Sequence, residues 1–173
     1  MSIENETHDL LFGVRRSIRY HNRRRNFYDR FNSFVNAVSL IMGSATVYGT
    51  LKAQAQDIAV IAAAVVTILS AINLVVGSAR QARIHNDLTK RFIGLEKKIV
   101  SGTINNTPIK LAEWTEERLD IEAEEPPVLH VLNCICHNEL ARAMGYDQKH
   151  FVKIACYQRW FAHILDINDH LIK

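Results

Sequence analysis

The residues best suited to chemistry lie late in the chain. Cys134, Cys136 and His137 form a C-x-C-H run, with His130, His150 and Cys156 nearby in sequence. Thiolates and imidazoles at short spacing are what a zinc ion takes. The spacing argues against one. Two cysteines at i and i+2 on a helix point about 200° apart, and a zinc knuckle separates them by about two to four residues. The thiols read instead as reduced, partly buried structural side chains. His85, Asp87 and Glu139 have no evident partner in the sequence. There is no glycine-rich phosphate loop, G-x-S-x-G or H-E-x-x-H run, and no paired-carboxylate motif. Neither an enzyme, a metal nor a cofactor is expected.

A second set of spacings is physical rather than reactive. Asn32, Asn36, Ser39, Gly43, Thr46 and Thr50 recur at alternating intervals of four and three, the interval of one helix face. Phe34, Val38, Leu40, Ile41 and Val47 fall between them. Ala59, Ala63, Val66, Ser70, Asn73 and Gly77 repeat the pattern downstream. Polar groups at such positions pack helices together or line a water-filled lumen. For the second stripe packing is the simpler reading. Two spans cannot enclose a lumen alone, so a pore requires a homo-oligomer.

Both stripes sit in long uncharged runs, residues 31–51 and 58–79, joined by the short segment from Lys52 to Asp57. A helix needs roughly 20 apolar residues to cross a bilayer. The expected fold is therefore an all-α membrane protein: a two-helix transmembrane hairpin whose helices extend into a cytoplasmic helical tail. The regions are 1–30, a basic N-terminal helix; 31–79, the hairpin; and 80–173, the tail. A soluble helical bundle that buries both runs is the alternative fold.

Charge sets the orientation. From Leu10 to Arg30, Arg15, Arg16, Arg19, Arg23, Arg24, Arg25 and Arg30 stand against one acid, Asp29. Arg80, Arg83, Lys90, Arg91, Lys97 and Lys98 follow the second. Basic flanks stay cytoplasmic, so both termini are expected inside, at a bacterial inner membrane. The first ten residues lack an apolar core, so the first span should act as an uncleaved insertion signal. The seven arginines suit anionic lipid headgroups. Nucleic acid or a nucleotide is the weaker reading of the same cluster.

Leu10, Leu11, Val14, Ile18 and Phe27 predict a helix over 8–30 that runs into the first span. Ile84, Leu88, Phe92, Leu95 and Ile99 predict one helix face continuing from the second span past Gly77. A loop at 101–108 precedes an acidic helix at about 109–121. The seven acids between Glu113 and Glu125 either dock on the basic helices or stay solvated. Pro126 and Pro127 then open a helix ending at Gly145. Asp147 is expected to cap a last helix over 148–170.

The basic aromatic run YHNRRRNFYDRF (residues 20–31), the Ser/Gly/Thr-bearing first span, the short linker, the Ala/Val-rich second span and the helical tail together resemble the SLATT domains. These are two-transmembrane effectors of bacterial nucleotide-linked conflict systems. The resemblance covers about residues 10–170. It implies a pore-forming or membrane-disrupting effector in antiviral defence, gated by a nucleotide signal or a sensor protein. A non-conducting membrane scaffold that recruits a cytoplasmic partner is the alternative.

Overall fold

The computed structural model describes residues 2–52, 56–103 and 107–167. Every regular element among them is helical: α1 (Ile3–Leu51), α2 (Gln56–Val76), α3 (Ser78–Gly102), α4 (Pro108–Ala123), α5 (His130–Ala143) and α6 (Cys156–Phe161), with a 3-10 turn at Gln148–His150. The chain divides into two compact units. One is Arg25–Ile84; the other joins Met1–Arg24 to His85–Lys173.

The Arg25–Ile84 unit holds the apolar segments. Two helices of the chain are long and apolar enough to cross a membrane, and only 11% of each apolar window is buried. On α1 the covered face is Val35 and Gly49, with Val38, Met42 and Ala45 half-buried. Asn32, Ser39, Gly43 and Thr46 of the expected stripe are half-buried as well. On α2 Ala59 and Ala62 are buried, and Val65, Val66 and Leu69 half-buried. Small residues here permit close backbone approach. The second run does not continue as one regular helix. Gly77 adopts φ +60°, the left-handed region open to glycine at no steric cost, and separates α2 from α3. Its N–H still reaches Asn73 O at 2.9 Å, and its carbonyl accepts from Gln81 N at 2.9 Å.

The other unit is a helical bundle. The expected face of α3 is its core: Leu88, Phe92, Leu95 and Ile99 are all buried. Leu10, Val14 and Tyr20 face inward from α1, Trp114 and Ile121 from α4, and Val131, Leu132 and Cys136 from α5. Thr107 caps α4, its side chain accepting from Lys110 N, and Pro108 takes the first turn, where its missing N–H costs nothing. Gly102 lies under the Trp114 ring, so closely that a Cβ would overlap Cζ2 and Cη2. A flat indole inside a core cannot yield cheaply. Gly102→Ala is therefore expected to lower the bundle's stability by about 1–3 kcal/mol, read as a shift in the urea midpoint at unchanged slope. An unchanged midpoint would show that the ring is not held there.

Two boundaries differ from the sequence expectation. α5 begins at His130, not at the prolines, because its first N–H groups are capped from afar: Asp166 accepts from His130 N at 2.7 Å and Val131 N at 3.0 Å. It stops where expected. Gly145 has φ +77°, and Tyr146 N bonds Ala141 O while Gly145 N bonds Arg142 O, the paired closure that glycine allows. The expected helix over 148–170 is the larger correction. Asp147 does cap, but only the short 3-10 turn. The Asn138 side chain then takes both backbone groups of Val152, at 2.7 and 2.8 Å. With those groups occupied the chain runs extended to Ala155 and resumes only as α6. Residues 168–170 of that expectation lie outside the described residues.

Candidate functional site

Two polar constellations stand out, one in each unit. In the Arg25–Ile84 unit, Asn73 Nδ2 donates to Asn32 Oδ1 at 3.2 Å. Ser78 Oγ donates to Asn32 Oδ1 at 3.4 Å and also contacts Asn73 Oδ1. Ser78 is 1% exposed. Asn32 and Asn73, expected on the stripes, are thus brought together, and Ser78 joins them without a sequence signal.

The remaining stripe residues divide. Ser39, Gly43 and Thr46 are half-buried beside the covered face, whereas Asn36 and Thr50 are exposed. Ala59 is buried and Gly77 half-buried, while Ala63 and Ser70 are exposed. Several hydroxyls bond their own helix: Ser44 to Leu40 O at 2.9 Å, Thr46 to Met42 O at 2.9 Å, Thr50 to Val47 O at 2.8 Å and Thr67 to Ala63 O at 2.8 Å. A hydroxyl so engaged carries little penalty in hydrocarbon. A carboxamide has two donors and an acceptor to satisfy, so outward-facing Asn36 is the demanding group.

In the bundle the sequence missed a buried histidine pair. His21 (0% exposed) and His85 (1% exposed) approach Nδ1 to Nδ1 at 2.9 Å. His21 Nε2 lies 2.9 Å from Glu125 Oε1. His21 donates Nε2–H to Glu125, and one proton shared between the two Nδ1 atoms, supplied by either ring, satisfies the second contact. Phe92 stacks on the His21 ring, with centroids 5.6 Å apart. Tyr20 accepts from Leu129 N at 2.9 Å, and burial pushes its phenol above the ordinary value. The other two residues without an evident partner in the sequence have one here: Glu139 pairs with Arg23, and Asp87 lies 3.5 Å from Lys90.

Burial, followed by the charges of His21 and Arg24, pulls His85 down to about 3 from its ordinary 6.5. The folded value lies below the unfolded one, so acid protonates the unfolded chain first. The stability from burying neutral His85 is complete above about pH 6.5 and is lost as the pH falls toward 3, at about 1.4 kcal/mol per unit for one proton. Urea midpoints between pH 7 and 5 check this. His85→Asn should flatten the slope by one proton, and a variant as acid-sensitive as the parent would contradict the assignment.

The basic cluster is not one surface. Arg15 pairs with Glu96 at 2.7 Å, and Arg24 donates to His163 O at 2.6 Å. Arg16 lines a bundle cavity, Arg25 contacts Asn26, and Arg19 and Arg30 are exposed. Part of the acidic segment docks on α3: Lys98 to Glu117 at 2.8 Å and Arg91 to Glu124 at 2.5 Å. Arg118 pairs with Glu122 on its own helix, while Glu113, Glu116 and Asp120 are exposed. Cys134 and Cys136 are buried, and burial pushes the Cys136 thiol up to about 12. Cys156, expected to be partly buried, is exposed, because the segment carrying it is α6 rather than the middle of a packed helix. No group of metal-ligating side chains forms among the described residues.

No family model, curated protein or solved structure matches this chain. Fold and geometry define its class: a protein all-helical in its described residues, with two helices long and apolar enough to cross a membrane and one compact unit that is a helical bundle.

Proposed function

We propose that residues 31–79 form a transmembrane hairpin that assembles into a homo-oligomeric pore or membrane-disrupting effector. The basic flanks place both termini in the cytoplasm of a bacterial cell. The helical bundle receives the opening signal, from a nucleotide or a sensor protein. The outcome is loss of ion gradients in a defence response, as the resemblance to SLATT domains implies.

One observation carries this reading. The apolar helices leave most of their surface uncovered, and Asn36 stands on that outer surface. A soluble bundle would cover the apolar area, since exposing it forfeits about 25 cal/mol per Å². In lipid the apolar area needs no cover, but Asn36 does. A neighbouring copy or a lumen supplies it. For the signal, a cavity of about 590 Å³ lined by Arg16, Arg118, His130 and Asn133 opens beside Glu125.

The test is reconstitution. The protein should resist alkaline extraction from membranes, and it should release a small dye from liposomes with a steep dependence on protein density. Firm insertion without release at any density would favour the scaffold. Extraction without detergent would return the chain to the soluble-bundle reading.

A further inference from the structure

α6 is built inside out. The side chains it turns inward are Gln158 (3% exposed) and Ala162 in the following turn (0%). Gln158 is held by polar contacts: its Oε1 accepts from Ala155 N at 2.9 Å and its Nε2 donates to Ile167 O at 3.0 Å. The aromatic residues face outward. Trp160 is 82% exposed, with Tyr157, Phe161, Ile164 and Leu165 also open. A surface helix of a soluble protein has the reverse pattern. The surrounding chain is one-signed. From Gln148 to Leu165 there are Lys149, Lys153, Arg159 and two histidines, but no acidic residue. Of the flanking acids, Asp147 lies 3.5 Å from Lys149 and Asp166 is occupied in capping α5, which leaves Lys153 and Arg159 as the cations of the face.

We propose that this face docks on the anionic surface of the bilayer, with Trp160 and its neighbours at headgroup depth and Lys153 and Arg159 on lipid phosphates. Tryptophan and tyrosine belong at that depth, because one end of each ring is apolar and the other wet. Apolar area and headgroup attraction add on an interfacial helix. A second copy of the chain fits less well, because two such faces would bring like charges together. The proposal rests on the hairpin reading, since a spanning hairpin holds the bundle near lipid at high effective concentration.

The experiment uses the full chain in phosphatidylethanolamine/phosphatidylglycerol vesicles, with and without bromine on the acyl chains. The chain has two tryptophans, so Trp114→Phe leaves Trp160 as the reporter. Its emission should fall about twofold in brominated vesicles, and Lys153→Gln with Arg159→Gln should remove most of that loss. If Trp114→Phe does not fold, a bimane label on exposed Cys156 gives the same reading in the parent chain, because Cys134 and Cys136 are buried. Flotation with the vesicles reports the hairpin separately. A chain that floats while Trp160 stays unquenched by bromine and open to iodide overturns the docking and leaves the hairpin standing. Shielding that ignores bromine and rises with protein density assigns the face to a second copy and also overturns it. Failure to float removes both readings.

Discussion

Asn36→Leu is expected to cut dye release from liposomes about tenfold while leaving insertion intact. Asn36 is an exposed carboxamide on the outer surface of α1, and among the described residues no hydrogen bond ties it to its own helix, as one does Ser44, or to α2, as one does Asn32. An interhelical polar contact in lipid is worth about 0.6–1.7 kcal/mol, and each copy of an oligomer loses one. Asn32→Leu should reach the same loss differently, by leaving Asn73 and Ser78 without their shared acceptor. Ser44→Ala should change little, since its hydroxyl already bonds Leu40 O. Release that persists in both asparagine variants would remove the pore from consideration.

His21→Ala should lower the bundle's stability by about 3–5 kcal/mol. The substitution leaves a cavity beside Phe92 and strands Glu125, whose side chain is 10% exposed. Domains of this kind have about 5–15 kcal/mol in total, so the variant should lose a large share of its stability and unfold at a much lower urea concentration. Lys98→Ala is the contrast. It breaks the Lys98–Glu117 pair, in which the lysine side chain is 59% exposed, and should cost under about 1 kcal/mol. Urea denaturation of both variants at pH 7 checks the pair. Equal midpoints would mean that the histidine contacts contribute no more than a solvated ion pair.

Periodicity made the helices legible. Leu88, Phe92, Leu95 and Ile99 announced the inner face of α3 by spacing alone, and Gly145 announced the end of α5. The apolar runs were legible by length. What stayed hidden depends on partners distant in the chain. His21 and His85 are 64 residues apart, and neither helix marks its histidine as buried. The last helix failed for a related reason. Local propensity favours helix after Asp147, but Asn138 takes the backbone of Val152 and Asp166 supplies the start of α5. Neither bond has a local signature. The polar stripe was legible as spacing, but spacing did not show that Asn32, Ser39, Gly43 and Thr46 are half-buried while Asn36 and Thr50 are exposed.

The Asn32 contacts bear on biogenesis. If residues 31–79 form the proposed hairpin, the first span is the more polar of the two and is expected to insert poorly by itself. Its carboxamide acceptor is met by residues 41 and 46 positions later. A nascent chain that has delivered only the first span therefore has nothing to offer that amide but water at the translocon. On that reading commitment to the bilayer is expected only when the second span emerges, and a force profile of the growing chain should register one pull rather than two.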